Sequence, residues 1–326
     1  MSNFLILGAN SFSGSRFIGS LLNLGHHVVA LGRSPKLAKP LRIYEDSETL
    51  IFEQLSMDQK IESLRNLKHV EKCEYVVNFA AQSMVAQSWN APEDWYQTNI
   101  VDFSMLISDL KSRVNFRKFI QFTTPEVYGN TKGWIKESFN FSPSTPYAIS
   151  RAASDFHLRA LFENEQFPVI FTRAANVYGP GQPLYRIIPK IFISGLIGEK
   201  LQLHGGGKSI RSFIEMKDVS DALRRIVERG IVGDTYHIST NQLLSINQIV
   251  EKCVKMLGIS STDLIEMSPD RPGKDHAYKL DSSKLRTELD WVDTVSIETG
   301  LEQTLNWVQN NLEELIKFPR EYRHRK

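Results

Sequence analysis

The sequence has little cysteine, no long hydrophobic run and no marked excess of charge. Two cysteines among 326 residues, Cys73 and Cys253, are too few for a disulfide framework and lack metal-ligand spacing, so we expect two buried thiols and no metal site. No stretch approaches the roughly 18 apolar residues of a membrane span. Lys and Arg number 39 against 37 for Asp and Glu, a balance that argues against nucleic-acid binding.

The two ends of the chain also carry expectations. The opening MSNFLILGAN leads straight into a strand, with neither a basic n-region nor a cleavage site, so we expect a cytoplasmic protein. One basic cluster stands out, FPREYRHRK at residues 318–326. We expect it to be a solvated tail rather than a binding patch.

Short apolar strands alternate with amphipathic helices through the first half of the chain. The helical patterns cover Ser13–Leu24, Trp95–Lys111 and Tyr147–Asn164. Alternation of this kind predicts right-handed crossovers and an α/β fold with a doubly wound parallel sheet of the Rossmann type. The predicted strands are NFLILGA, HHVVALG, TLIFEQ, CEYVVNFAA, FRKFIQFTT and FPVIFTRAA.

After about Asn176 the alternation of strands and helices becomes less regular, which predicts a smaller C-terminal α/β lobe for the substrate. We place the dinucleotide-binding domain at 1–175, with 211–240 returning to it, and the substrate lobe at 176–210 and 241–326. The ligand cleft is expected between that lobe and the carboxyl ends of the strands.

The turn after the first predicted strand reads Gly8-Ala-Asn10-Ser11-Phe12-Ser-Gly14. Glycines at such a turn let backbone amides approach a pyrophosphate at a helix N-terminus. Two glycines six apart are a weak signal alone, but the strand before and the helix after favour dinucleotide binding over an ordinary tight turn. We expect these five residues to contact the cofactor.

The end of the second strand bears on the choice between NAD and NADP. An acidic residue there would bind the ribose hydroxyls of NAD, but Gly32 occupies its place. Arg33 and Ser34 follow and can hold a 2′-phosphate through a guanidinium fork and a hydroxyl. We therefore expect NADP in preference to NAD; the alternative is that Arg33 stacks on adenine or faces solvent.

A set of three side chains suggests acid–base chemistry. Tyr147 and Arg151 stand four apart at the head of a predicted helix and so share one face. A phenol with an ordinary pKa of about 10 is a poor base at neutral pH, and a nearby cation favours its ionised form. Thr124 ends a predicted strand and can offer its hydroxyl to the same oxygen. This is the minimum set for drawing a proton from a sugar hydroxyl while hydride leaves the same carbon.

Several motifs in order resemble the extended short-chain dehydrogenases/reductases, and among them the nucleotide-sugar 4,6-dehydratases. The resemblance runs nearly end to end. It is carried by TTPEVYG, by TPYAISRAAS, and by the segments NFAAQSMVAQSWNAPEDWYQTN, RAANVYGPGQ, IRSFIEMKDV and DRPGKDHAYKLDSSKL.

The resemblance implies catalytic roles for the matching residues. Tyr147 would be the base for oxidation at C4, with Thr124 hydrogen-bonded to it, and Arg151 would replace the family's lysine. Glu126 would remove the C5 proton before water is lost. Pro125 stands where many relatives have an aspartate that helps protonate the leaving hydroxyl.

The resemblance also implies binding residues and partners: a nucleotide-diphosphate sugar, a tightly bound and recycled NADP or NAD, and a homodimer formed through the helices of Trp95–Lys111 and Tyr147–Asn164. Cofactor contacts would further include Ala80, Ala81, Asn99, Tyr147 and Arg151. Substrate contacts would be Gln82, Ser83, Asn176, Arg211, Arg271 and Tyr278.

Two other functions stay open on the sequence. The same C4 oxidation serves epimerases, decarboxylases and 5,6-dehydratases, and the missing acid at Pro125 leaves the outcome of elimination undecided. A non-enzymatic NADP-binding protein on the same fold is more remote, since Tyr147 is retained.

Overall fold

The computed structural model describes residues 1–55, 69–113, 115–268 and 279–324. Seven parallel strands form the large sheet, in the order β3-β2-β1-β4-β5-β6-β10. This is the doubly wound parallel sheet that the alternating pattern predicts, and that prediction is confirmed. The strands are β1 Asn3–Leu7, β2 His27–Gly32, β3 Leu50–Gln54, β4 Tyr75–Asn78, β5 Lys118–Thr123, β6 Val169–Ala174 and β10 Thr235–Ile238.

Two small sheets lie in the second half of the chain. One has the order β11-β9-β7 and the other pairs β12 with β8. Of the range 211–240, expected to return to the large sheet, β10 pairs with β6 and the helix before it packs on that sheet, whereas β9 pairs with β7 and β11 in a second sheet. These strands are β7 Asn176–Tyr178, β8 Leu201–His204, β9 Ile210–Glu215, β11 Leu243–Ser245 and β12 Ile265–Ser268.

Helices cover both faces of the large sheet and build the smaller lobe. A π-helical segment, Gln97–Asp102, joins α2 to α3, so the predicted helix Trp95–Lys111 is longer than expected and irregular in its middle. The helices are α1 Phe12–Asn23, α2 Pro92–Tyr96, α3 Phe103–Arg113, α4 Pro146–Glu165, α5 Ile187–Ile197, α6 Met216–Arg229, α7 Ile246–Leu257, α8 Ser261–Leu264, α9 Ser283–Glu288, α10 Ile297–Asn310 and α11 Leu312–Leu315.

Alternate side chains of each strand feed two separate cores. On β1, Phe4 and Ile6 face a core shared with α1 and α6, whereas Leu5 and Leu7 face a core shared with α3 and α4. A third core holds the smaller lobe together between α5, α7 and α10. Both cysteines are free and buried, Cys73 beside the second core and Cys253 in the third, as expected.

Within the described ranges, no helix is both long and apolar enough to cross a bilayer.

A buried ion pair fixes α4 to the sheet. Asp155 lies one turn beyond Arg151 on α4, and its carboxylate accepts a 3.0 Å hydrogen bond from the guanidinium of Arg173 on β6. Both side chains are fully buried. The guanidinium carbon also lies 4.9 Å from the ring centroid of Phe141 and 5.2 Å from that of Tyr128. The helix that carries the predicted catalytic pair is therefore fixed to β6 by the Arg173 guanidinium, which also packs against aromatic rings.

This pair yields a stability prediction. Asp155→Leu leaves the Arg173 guanidinium charged and unmatched in the core, so we expect the free energy of unfolding to fall by about 3–5 kcal/mol in urea titrations. The double variant Asp155→Leu/Arg173→Met removes both charges and should recover most of that loss. A single variant that loses under about 1 kcal/mol would show that the pair contributes little to stability.

Candidate active site

The glycine turn after β1 packs closely against the backbone that follows β4. Gly8 has a φ of +77°, and a Cβ added to it would stand 2.6 Å from the backbone nitrogen of Ala80. A Cβ on Gly14 would stand 2.4 Å from the carbonyl oxygen of Gly8. Both positions therefore require glycine, because a side chain would push the turn away from the strand ends.

Ser11 lies between Gly8 and Gly14 in this turn and caps the N-terminus of α1. Its Oγ accepts a 3.0 Å hydrogen bond from the backbone N–H of Gly14, and its own N–H donates to the carbonyl of Gly8 at 2.9 Å. Phe12 opens α1 and packs against the first core. Ser11 thus closes the turn and provides the N-cap of α1.

Asn10 ties this turn to the segment after β2. Its amide nitrogen donates to the carbonyl of Ser34 at 2.8 Å and lies 3.0 Å from the Ser34 hydroxyl. A Cβ at Gly32 would meet that same nitrogen at 3.1 Å and the ring of Phe52 at 3.2 Å. An acidic side chain at position 32 would therefore have to displace Asn10. The side chain that follows, Arg33, is exposed.

The loop after β4 is held by Asn99, from within the π-helical segment. Its Oδ1 accepts from the N–H of Gln82 at 2.8 Å, and its Nδ2 donates to the carbonyl of Gln82 at 3.0 Å and to the hydroxyl of Ser150 at 2.9 Å. Ser150 in turn donates to the carbonyl of Tyr147 at 2.7 Å. Both ends of the Asn99 amide are thus engaged by protein, and the residue positions the loop against α4.

Tyr147, Thr124 and Arg151 meet as expected. Tyr147 is the second residue of α4, and Thr124 hydrogen-bonds its phenol. Arg151 is buried one turn later and donates from one terminal nitrogen to the carbonyl of Phe122 at 2.7 Å. Its Nε is buried and has no hydrogen-bond partner in the part of the chain that the structure describes.

Burial raises the pKa of the Tyr147 phenol, and the Glu126 carboxylate adds to the rise. The positive charge of Arg151 opposes it, helped by the Thr124 hydrogen bond and by Arg186. The expected favouring of phenolate by Arg151 is present, but burial outweighs it in the protein alone.

Glu126 lies in the short 3-10 turn Pro125–Tyr128 that follows β5. Thr124 caps this turn, accepting a hydrogen bond from the Glu126 N–H at 3.3 Å. Pro125 is buried at its first position, where the fixed φ of proline suits the turn. Glu126 is half-buried, close enough to the phenol of Tyr147 to affect its ionisation.

The predicted substrate residues are spread over both lobes. Gln82 is buried and Ser83 exposed after β4, whereas Asn176 is half-buried at the start of β7. Arg211 is buried on β9, and one of its terminal nitrogens donates to the carbonyl of Ile210 at 2.8 Å. Arg271 and Tyr278 lie outside the described residues. Ala81 is half-buried in the loop that Asn99 holds.

Sequence reasoning missed Arg186, which precedes α5. It is exposed, and its charge opposes the rise that burial causes in the pKa of both Tyr147 and Tyr322. Nothing in the surrounding QPLYRIIP distinguishes this arginine from a surface residue, because its position depends on how the two lobes meet.

The expectation of a solvated C-terminal tail is wrong for residues up to 324. Tyr322 accepts a hydrogen bond from the amide of Gln82 at 2.8 Å, and His324 pairs with Asp94 at 2.6 Å. The basic composition of the segment gives no sign of these contacts, because they form only when the fold brings Gln82 near Tyr322.

The residues present fit a dinucleotide. Gly8 and Gly14 leave a cradle that any Cβ would fill, α1 presents its amino end there, and Arg151 keeps a buried N–H without a partner in the described ranges. Across those same ranges, no group of three His, Cys, Asp or Glu side chains is arranged to hold a metal ion.

Comparison with known proteins gives a consistent assignment. The profile of the family described as GDP-mannose 4,6 dehydratase matches residues 5–304. A dTDP-glucose 4,6-dehydratase of Xanthomonas campestris pv. campestris is 30% identical over 331 residues, which cover 95% of this chain and 94% of the relative.

Solved structures agree in fold. The dTDP-glucose 4,6-dehydratase of Bacillus anthracis, in complex with NAD, superposes with a TM-score of 0.85 at 28% identity, covering 96% of this chain and 98% of that one. A UDP-glucose 4-epimerase of Thermotoga maritima, with UDP-glucose, gives 0.86 at 26% identity, covering 95% and 99%. Fold similarity alone therefore does not separate elimination from epimerisation.

Proposed function

Because the chain belongs to the nucleotide-sugar 4,6-dehydratases, a family of the extended short-chain dehydrogenases/reductases, we propose that it removes water from a nucleotide-diphosphate sugar to give a 4-keto-6-deoxy sugar. The single observation that carries this proposal is the meeting of Tyr147, Thr124 and Arg151 with the Glu126 carboxylate beside them. Asn176, Arg211, Gln82 and Ser83 are proposed substrate contacts.

Tyr147 is proposed to act at C4. A bound nicotinamide ring supplies a hydride acceptor for C4 and a hydride donor for C6. The phenolate of Tyr147 takes the proton of the C4 hydroxyl, and Thr124 holds that oxygen in place. Arg151 keeps a permanent positive charge one turn away, which favours the ionised phenol.

Glu126 is proposed to act at C5 and C6. Once C4 is a ketone, the C5 proton is acidic, and the Glu126 carboxylate can accept it. The C6–O bond then breaks as a C5=C6 double bond forms, and the proton on Glu126 passes to the leaving hydroxide, so that water is lost. When hydride returns to C6, C5 takes up a proton from solvent. Pro125 has no proton to give, and we propose that the Glu126 carboxyl group serves both steps in place of a water molecule.

Epimerisation is the second candidate. It is supported by the similarity to the epimerase structure and by the missing acid at Pro125. Glu126 discriminates between the two, because a 4-epimerase needs no carboxylate at C5. A non-enzymatic NADP-binding protein is disfavoured by the complete Tyr147–Thr124–Arg151 set.

The cofactor is a nicotinamide dinucleotide, and we propose NADP over NAD. The packing of Asn10 against Gly32 supports this preference, since it leaves no room for the carboxylate that would bind the ribose hydroxyls of NAD. Arg33 and Ser34 remain the proposed 2′-phosphate contacts. The Bacillus anthracis relative was solved in complex with NAD.

We also propose a homodimer. Four apolar side chains are exposed on neighbouring faces of α4 and the π-helical segment with α3: Val101, Met105, Ile149 and Phe156. Two copies of this face would bury them in a four-helix arrangement. A cytoplasmic location is proposed on the sequence and is supported by the two free, buried cysteines.

The reaction itself is tested by product analysis in deuterated water. We expect the protein, given NADP or NAD and a panel of nucleotide-diphosphate sugars, to yield a 4-keto-6-deoxy product carrying deuterium at C5. Glu126→Gln should still oxidise C4, but turnover should fall about 10²–10⁴-fold and C5 exchange should stop. Tyr147→Phe should stop oxidation while cofactor still binds. Continued exchange in Glu126→Gln would place the base elsewhere.

The cofactor preference is tested by calorimetry. Arg33→Ala removes a charge-assisted hydrogen bond worth about 1.5–3 kcal/mol, so NADP affinity should fall about ten- to hundredfold. NAD affinity should change less than about threefold, because NAD lacks the 2′-phosphate. Equal losses for both cofactors would refute the phosphate assignment.

The dimer is tested by sedimentation velocity. Met105→Glu places a charge in the middle of the proposed interface and should shift the protein to a monomer. Ile231→Glu is the matched control, since Ile231 is 59% exposed and lies on another surface. A dimer that survives in Met105→Glu, or a wild-type protein that is monomeric at micromolar concentration, would contradict the proposal.

A further inference from the structure

The chain continues past the last helix into a segment anchored on the smaller lobe. Phe318 packs against the third core. Arg320 then donates two hydrogen bonds to the carboxylate of Glu199, and Lys190 on α5 donates to Glu321 at 2.5 Å. This part of the chain lies beyond residue 304, where the family profile ends. We call residues 320–324 the C-terminal strap.

The far end of the strap is fastened to the large lobe. The amide nitrogen of Gln82 donates to the hydroxyl of Tyr322 at 2.8 Å and lies 2.9 Å from Nδ1 of His324. Nε2 of His324 lies 2.6 Å from the carboxylate of Asp94. The imidazole stacks on Trp95, with the ring centroids 4.9 Å apart and the planes at 9°. The strap therefore bridges the two lobes.

The contacts of the imidazole match one tautomer. The Gln82 nitrogen can only donate, so its contact with Nδ1 of His324 suits a ring proton on Nε2, facing the carboxylate of Asp94. The side chains of His324 and Asp94 are only 26% and 17% exposed. A charge-assisted bond with this degree of shielding holds better than an exposed ion pair.

Tyr322 of the strap lies within electrostatic range of residues at both proposed ends of the cofactor site. Burial raises the pKa of the Tyr322 phenol, and the positive charges of Arg33 and Arg186 oppose that rise. Arg33 belongs to the proposed phosphate end of the cofactor site, and Arg186 also acts on Tyr147 at the reacting end. Tyr322 further packs edge-on against Tyr185, with ring centroids 5.5 Å apart.

The residue that receives the strap is itself part of the site. Gln82 follows β4 and is held through its backbone by Asn99, which also binds Ser150 on the helix that carries Tyr147. A side chain fastened to Gln82 therefore stands directly beside the carboxyl edge of the large sheet, where a dinucleotide is bound in this fold.

We propose that the C-terminal strap completes the dinucleotide site by closing over the cleft and retaining the cofactor. The inference rests on the proposed function, which returns hydride to the same sugar that lost it. If the reduced cofactor left between those steps, the keto sugar could not receive its hydride at C6. Slow release of the cofactor therefore favours completion of the reaction. Opening the strap requires breaking the Gln82, Asp94 and Trp95 contacts together, which makes cofactor exchange slower than it would be from an open cleft.

The test measures cofactor release without any sugar. The full chain, a chain ending at Pro319, His324→Ala and Tyr322→Phe are each loaded with NADPH and, separately, with NADH. Excess oxidised cofactor is then added, and the decay of bound-nicotinamide fluorescence gives the release rate. We expect the truncated chain and His324→Ala to release the cofactor about tenfold faster, or ~1.4 kcal/mol, and Tyr322→Phe to show a smaller increase.

Arg323→Ala is the matched control, because Arg323 is an exposed cation between the two latching residues. Its release rate should equal that of the full chain. Melting temperatures of all variants identify any that fail to fold, and His324→Ala alone then decides the outcome.

Wild-type release rates in a folded His324→Ala variant would overturn the proposal that the strap retains the cofactor. Failure of every chain, the full one included, to bind either nicotinamide would instead refute the proposed function.

Discussion

The parallel register of the large sheet is the constraint on which the site depends. Because all seven strands run the same way, the segments that follow β1, β2, β4 and β5 leave the sheet at one edge. Gly8, Arg33, Gln82 and Thr124 arrive at that edge from positions far apart in the chain. The loops at this edge must keep a fixed position for the side chains to act together. Asn10 fixes the segment after β2 and Asn99 the loop after β4 through hydrogen bonds.

The arginine in place of a lysine is accommodated by the backbone of β5. One terminal nitrogen of Arg151 is bound to the carbonyl of Phe122, so the guanidinium is anchored by the sheet. Asp155 lies one turn further along the helix, and its ion pair with Arg173 on β6 fixes the helix that carries both Tyr147 and Arg151. Arginine cannot lose its charge, which suits a role as a fixed positive field beside a phenol that must ionise.

Gln82 is the point at which the two lobes are joined over the site. Its backbone is bound by Asn99 from one side, and its side chain is bound by Tyr322 and His324 from the other. Movement of the strap would therefore displace the loop at Gln82, which lies beside Tyr147. In the proposed closure, Tyr322 and His324 lie beyond the end of the family match, whereas Gln82, to which they bind, lies within it.

Local pattern was enough to predict the parallel sheet, the glycine turn and the Tyr147–Thr124–Arg151 set, because strand–helix alternation and spacings of four or six residues are encoded in neighbouring positions. Only the tertiary structure decided that Asn99 holds a loop, that Arg186 lies near enough to affect Tyr147, that β9 joins a second sheet and that Tyr322 and His324 bind Gln82 and Asp94. Each of these depends on contacts between residues that are remote in sequence, such as 82 with 322, and no local periodicity records which distant backbone or side chain will be near.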